Sequence, residues 1–295
     1  MKKIIYTFII CCFIGCKQQK DQDTSKKPSE ILDLSYWKLN IPLDEDQNGK
    51  PDAVKVKELN SGFAHPNYFH VSDDGGVVFS CPIQGPATTP NSKYMRTELR
   101  EMLRGENKKI KTKSLGNNWV FSTAPEEDRK EAGATDGEMK ATLAINHVTT
   151  TGISKQVGTV TIGQIHANKS EPIKLFYRKL PEHKLGSVYY SHETTSGENI
   201  NIPIIGSLKN KTESDEGIAL DEVFSYNIKV TGNDLYVSLD RPNHPSISKY
   251  YDMSASGYDA GGQYQYFKAG VYNINNSGDP NDYVQATFYD LKVTH

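Results

Sequence analysis

Polar and apolar side chains alternate one by one along much of this chain. Met139 to Ile145, Gly158 to Asn168, Ile173 to Arg178, Phe224 to Val230, Leu235 to Leu239 and Val284 to Val293 follow the two-residue period of a half-buried strand. Gly232-Asn233-Asp234 separates two of these segments and signals a hairpin. Helical periodicity is scarce; Ala53 to Leu59 has room for one turn or two. The polar stretch Ser191 to Gly217 includes a surface loop, of a kind that in a groove enzyme could cover the substrate, and Thr123 to Gly137 reads as a loop. Many strands joined by Gly, Asn and Asp turns predict an all-β sandwich or barrel.

Three alternating segments put chemistry on one face. In Arg96-Thr97-Glu98-Leu99-Arg100 the three charges point the same way. Gln164 and His166 share a face, with Ile165 turned away. Tyr266, Lys268 and Tyr272 share a face, with Phe267, Ala269 and Val271 behind them. If the three lie in one sheet, they make a polar surface able to hold an acidic substrate and move protons.

Bulk properties narrow the partners. The 295 residues suffice for one large β domain or two small ones, and the formal net charge is −2. A mildly acidic chain is a poor binder of nucleic acid, so any polyanion must be attracted by a local basic strip. Tyr is abundant at 17, a residue suited both to sheet faces and to sugar-binding grooves.

The N-terminus reads as a targeting segment. Met1-Lys2-Lys3 is charged, and Ile4 to Ile14 is apolar but too short to span a bilayer. Phe13-Ile14-Gly15-Cys16 resembles a bacterial lipobox, with Phe13 where Leu is usual and Cys16 as the lipidated residue. Residues 1–15 are then a lipoprotein signal peptide and residues 16–30 a flexible tether without aromatic side chains. The expected location is the outer membrane or cell surface, with secretion as the alternative. Cys11, Cys12 and Cys16 fall in this segment, which leaves Cys81 as a lone buried thiol without a disulfide partner.

The segments R-T-E-L-R, Q-I-H and Y-F-K-A-G-V-Y-N resemble, in order and spacing, the signature motifs of alginate lyases of polysaccharide lyase family 7. Leu32-Asp33-Leu34-Ser35-Tyr36-Trp37-Lys38-Leu39 resembles the start of that domain, so the likeness covers residues 31–295. It implies a β-jelly roll whose concave sheet binds substrate, acting as a monomer on alginate or its oligosaccharides. These lyases cleave a 4-linked uronic acid polymer by β-elimination. The C5 proton leaves, the O4 bond breaks, and the neighbouring carboxylate must be neutralised as charge builds on it.

The resemblance implies a catalytic set of Arg96, Gln164, His166 and Tyr272. Arg96 and Gln164 suit the carboxylate, and His166 and Tyr272 suit base and acid. Arg100, Lys268, Glu98 and Tyr266 are the expected substrate-binding group, with Glu98 orienting an arginine. Ile165 in the middle of Q-I-H implies guluronate preference. Ile274 stands where the third motif often has Gln, which removes a polar contact from the groove.

Asp44, Asp46, Asn48 and Asp52 have the spacing of a calcium loop, but Lys55 holds the twelfth position, where a Glu ligand is usual. No cofactor is required by elimination, and calcium at this loop is a candidate structural ion. Two other functions fit part of the pattern. A non-catalytic carbohydrate-binding lipoprotein needs the basic groove but neither His166 nor Tyr272. A glycoside hydrolase needs two opposed carboxylates, whereas Glu98 and Glu101 face opposite sides of one strand.

Overall fold

Two large antiparallel sheets build the protein. The computed structural model describes residues 26–86, 93–208 and 213–295. The expected signal peptide, Cys16 and the tether as far as residue 25 lie outside the described residues. In the first sheet the order is Asn199–Ile205, Leu185–Glu193, Ile173–Arg178, Thr159–His166, Tyr266–Asn273, Arg96–Glu101, Trp37–Asn40 and Ala53–Val54. Ile218–Ala219 pairs with Leu185–Glu193 at the side. The second sheet runs Ile247–Asp252, Asp234–Asp240, Val223–Thr231, Gly137–His147, Tyr283–Thr294, Val77–Pro82 and Phe69–Val71. Neighbours far apart in sequence, such as Thr159–His166 beside Tyr266–Asn273, mark a chain that crosses between sheets, and the expected jelly-roll sandwich forms.

The core is the layer between the sheets. Alternation sends Leu99, Phe267, Ala269 and Val271 into it from the first sheet, and Leu143, Tyr226, Val237 and Phe288 from the second. Phe79 meets Phe69 and Phe288 edge to face, both at 5.0 Å. Tyr226 reaches across the layer, and its hydroxyl donates to the Ile162 carbonyl at 3.0 Å. Cys81 is fully buried, and burial pushes its thiol far above the usual range, as suits an inert core residue.

Two glycines let the sheet bend where the motifs lie. The pairing of Tyr266–Asn273 with Thr159–His166 slips between Ala269 and Tyr272. Gly270, at φ 124°, sits in this bulge, and a Cβ there would come 2.6 Å from the Thr97 carbonyl oxygen. On the partner strand, a Cβ on Gly163 would come 2.7 Å from the Tyr226 hydroxyl.

Four stretches come out more structured, or divided differently, than their sequence suggested. Ser191 to Gly217 holds more than the loop expected within it, because Asn199–Ile205 forms the edge strand of the first sheet. Its N-I-N-I alternation is exposed on an edge, where Pro203 costs no central ladder bond. Thr123 to Gly137 contains the helix Glu126–Glu131 and the short strand Ala134–Thr135. Ala53 to Leu59 supplies the helical turn it has room for, Val56–Asn60, but only after the short strand Ala53–Val54. The tether does not reach Glu30, since Pro28–Ile31 is a helical turn with Pro28 buried and Glu30 accepting from the Lys27 amide.

Candidate active site

The three motif segments are adjacent strands at the middle of the first sheet. Tyr272 pairs with Arg96, Gly270 with Glu98, Lys268 with both Arg100 and Gln164, and Tyr266 with His166. Residues paired across neighbouring strands share a face, so the expected polar surface forms. One row extends further: Lys174, Gln164, Lys268, Arg100 and Lys38 are successive partners across five strands. Four cations and an amide thus cross the sheet in line. An open cavity of ≈ 400 Å³ lies over this face, lined by Lys38, Asn40, Arg96, Arg100, His166, Tyr266 and Lys268 among others.

Glu98 is the hub beneath that cavity. Only 2% exposed, it accepts from Arg96 Nη1 at 3.0 Å and from Lys268 Nζ and Gln164 Nε2. Burial would raise its carboxyl, but Lys268 and Arg96 overcome this and hold it below the usual range. Glu98 is therefore removed from the expected substrate-binding group. Its lone pairs are spent on holding three donors, of which Arg96 and Lys268 line the cavity.

Each donor carries the mark of this packing. Burial and the neighbouring Arg96 draw Lys268 down to about 8. Burial works against the Arg96 charge, but Glu98 more than offsets it and the guanidinium stays protonated. Arg96 also lies over the Tyr272 ring, 3.8 Å from Cζ to centroid, and Tyr94 meets that ring edge-on at 6.1 Å.

His166 stacks on Tyr266 with centroids 5.1 Å apart. Its Nδ1 lies 2.6 Å from the Ala167 carbonyl, which can only accept, so Nδ1 carries the hydrogen. In the neutral ring Nε2 then has the free lone pair. Burial, with Lys268 second, pulls this imidazole down to about 4, so it is neutral across ordinary pH.

Arg100, expected in the substrate-binding group, lines the cavity, but its donors are engaged within the protein. Its Nη atoms donate to the Glu101 and Thr112 carbonyls, Asn118 Oδ1 and Met102 Sδ, and its guanidinium covers the Tyr266 ring at 4.0 Å. It contributes charge to the floor and ties the 112–118 segment to the site. Ile274 borders a second cavity of ≈ 370 Å³ with Lys174, Phe176, Arg178 and Tyr189, where Phe176 and Tyr189 stack at 5.0 Å.

Lys38, Asn40 and Glu171 escaped the sequence reading. Trp37 and Leu39 are buried and Lys38 and Asn40 line the cavity, so W-K-L-N carried the alternation signal. Glu171 follows the second motif in a turn and has no periodic signature; the fold brings it to 3.6 Å from His166. The acidic loop does gather Asp44, Asp46 and Asp52, with carboxylate oxygens within 4.8 Å of one another. Asp44 and Asp52 accept from backbone amides of that loop, and Asn48 bonds Asp46 and the Lys50 amide. Glu101 points behind the sheet to His295 at 2.7 Å, away from Glu98, so the strand offers no opposed carboxylate pair.

Comparison with known proteins agrees with this geometry. The alginate lyase family model matches residues 32–295. An alginate lyase of Klebsiella pneumoniae is 51% identical over 279 residues, covering 91% of each chain. The crystal structure of alginate lyase from Klebsiella pneumoniae superposes with a TM-score of 0.89 over 92% of this chain and 99% of that one. An exolytic family 7 alginate lyase from Zobellia galactanivorans shares the fold at 23% identity, with a TM-score of 0.68 over 90% and 97% of the two chains. The chain belongs to the alginate lyases of polysaccharide lyase family 7, and its activity is that of a polysaccharide lyase.

Proposed function

We propose that the enzyme cleaves alginate with His166 as base and Tyr272 as acid, and that it prefers guluronate-containing stretches. The observation that carries the assignment is the buried Glu98, which gathers Arg96, Gln164 and Lys268 beneath a cavity that also borders His166. Arg96, Lys268 and the second amide hydrogen of Gln164 stabilise the charge that builds on the sugar carboxylate. His166 Nε2 takes the C5 proton. The C5 electron pair becomes the C4–C5 double bond, the C4–O4 bond breaks, and Tyr272 protonates O4.

Guluronate places its C5 hydrogen and O4 on opposite faces, which calls for two separate groups. His166 lies level with Tyr266 and Tyr272 lies level with Arg96, so base and acid enter from different positions along the strands. Ile165 is fully buried and acts only by setting the height of Gln164 and His166. The test compares initial rates on pure guluronate and pure mannuronate blocks, read as ultraviolet absorbance of the new double bond. Equal rates would remove the preference.

With the carboxylate met by side chains, the reaction needs no metal, and calcium at Asp44, Asp46 and Asp52 has at most a structural place. Turnover unchanged by a chelator is the expected result. We further infer lipid attachment at Cys16, which would hold the enzyme at a membrane surface facing a polymer too large to enter the cell. Among the described residues no helix is long and apolar enough to cross a membrane. Cys16→Ala should release the protein from the membrane fraction without changing its turnover.

A further inference from the structure

We propose that Glu171 is a positioning residue for His166, standing beside the Nε2 of the neutral ring and accepting from the imidazolium once the proton has been transferred. The inference rests on His166 as base, and goes beyond it by giving that base a built partner. Ala167 to Pro172 turns the chain between the strands Thr159–His166 and Ile173–Arg178, and the Ala167 amide bonds the Ser170 carbonyl at 2.8 Å. This turn carries Glu171 back over His166, with Oε1 3.6 Å from Nε2.

Glu171 is itself fixed on two sides. Its Oε2 lies 3.3 Å from Lys174 Nζ, and its backbone carbonyl accepts from the Glu193 amide at 3.2 Å. Its side chain is about one-fifth exposed, as is that of Lys174. The neutral His166 ring is thus held by two contacts, Nδ1–H on the Ala167 carbonyl and its face on Tyr266, with Nε2 turned towards Glu171. Only Nε2 is left with a lone pair, and the carboxylate stands beside that same nitrogen.

The 3.6 Å gap suits a group used after the transfer. Before it, Nε2 has no hydrogen to donate, and two lone pairs face each other without a bond. When the C5–H bond breaks and its proton joins Nε2, the ring becomes a cation with a new N–H beside a carboxylate. A charge-assisted hydrogen bond then forms while the C5 electrons pass into the double bond and O4 leaves. The surrounding charges make this partner necessary. Lys268, on the adjacent strand, and Arg96, one strand further, both oppose a cation on His166. Glu171 favours one, and Lys174 and Glu193 sit behind Glu171. Burial and the nearby Glu171 raise Glu193, so the charge of this carboxylate pair resides on Glu171, against Lys174.

Three measurements test this on the whole chain. In Glu171→Gln, kcat should fall by about 10- to 100-fold with KM nearly unchanged, and the acid limb of kcat/KM should move to lower pH. Glu171→Asp should recover part of the loss. A merely structural role would lower stability and leave the acid limb in place, and that result would overturn the proposal. Nitrogen chemical shifts of the His166 ring in the unaltered enzyme provide a check that needs no variant. Hydrogen on Nδ1 is expected, and hydrogen on Nε2 would overturn the arrangement. His166→Asn separates this idea from the reading beneath it. If that variant stays active, His166 is not the base; if it is inactive while Glu171→Gln behaves like the parent, only the role of Glu171 fails.

Discussion

Arg96 lies over the ring of Tyr272 while donating to Glu98, so one guanidinium joins the proposed acid to the buried carboxylate. The phenol is positioned through its ring and performs chemistry through its hydroxyl. Tyr272→Phe keeps the ring and the stack and removes only the O–H. We expect turnover to fall by about 10²- to 10⁴-fold, with KM and the unfolding midpoint little changed. Steady-state rates on alginate beside a thermal melt will check this. Retained turnover excludes Tyr272 as the acid.

Glu98, itself buried, balances the cations of Lys268 and Arg96, and its removal should be felt twice. Glu98→Gln leaves Lys268 and Arg96 packed together without their counter-charge. Breaking one side of a buried ion pair costs about 3–5 kcal/mol, which denaturant unfolding will read. Glu98 also supports the proton on Lys268. Without it, the Lys268 proton leaves at lower pH, so the alkaline limb of activity should shift down. A shift upward, or none, would show that the hub does not set the charge of Lys268.

The two shifted groups define a pH window. His166 must be neutral to act as base, and its lowered value of about 4 keeps it so above that pH. Lys268 must be charged to face the substrate carboxylate, and it stays charged below about 8. For kcat/KM we expect a plateau between these values and a fall on each side. Stability follows the same sign for His166. Its folded value lies below the ordinary 6.5, so the stability it contributes is complete above about 6.5 and is lost as pH falls towards about 4. Lys268→Met should remove the alkaline limb and move the acid limb to higher pH, because Lys268 helps to lower His166.

The motif faces were legible because strand alternation is a local property. Arg96, Glu98 and Arg100 share a face whatever surrounds them, and the structure keeps them there. Their partners were not legible, because register depends on how distant strands align. Nothing in R-T-E-L-R says that Lys268 falls opposite Arg100 and joins Glu98, or that Thr112 and Asn118 consume the donors of Arg100. Glu171 lay further out of reach, since a turn has no period to read. Asn199–Ile205 shows a different failure. Its alternation was present, but an exposed edge strand has the composition of a loop.

Lys38 ends the row of cations that crosses the sheet, one strand beyond Arg100. Burial, Arg100 and Arg104 draw it down to about 8, so it is charged at neutral pH but held there against repulsion. A charge kept at such a cost, on a cavity wall and distant in register from Tyr272, fits a contact to the polymer rather than to the reacting sugar. Lys38→Met should therefore raise KM for long chains by about 10-fold while kcat stays near the parent value, the loss expected for one charge-assisted hydrogen bond. Added salt should narrow the difference by screening the parent enzyme's attraction. Removing a cation beside Arg100 and Arg104 should leave the unfolding midpoint unchanged or higher. A drop in kcat with KM unaltered would instead place Lys38 at the reacting sugar.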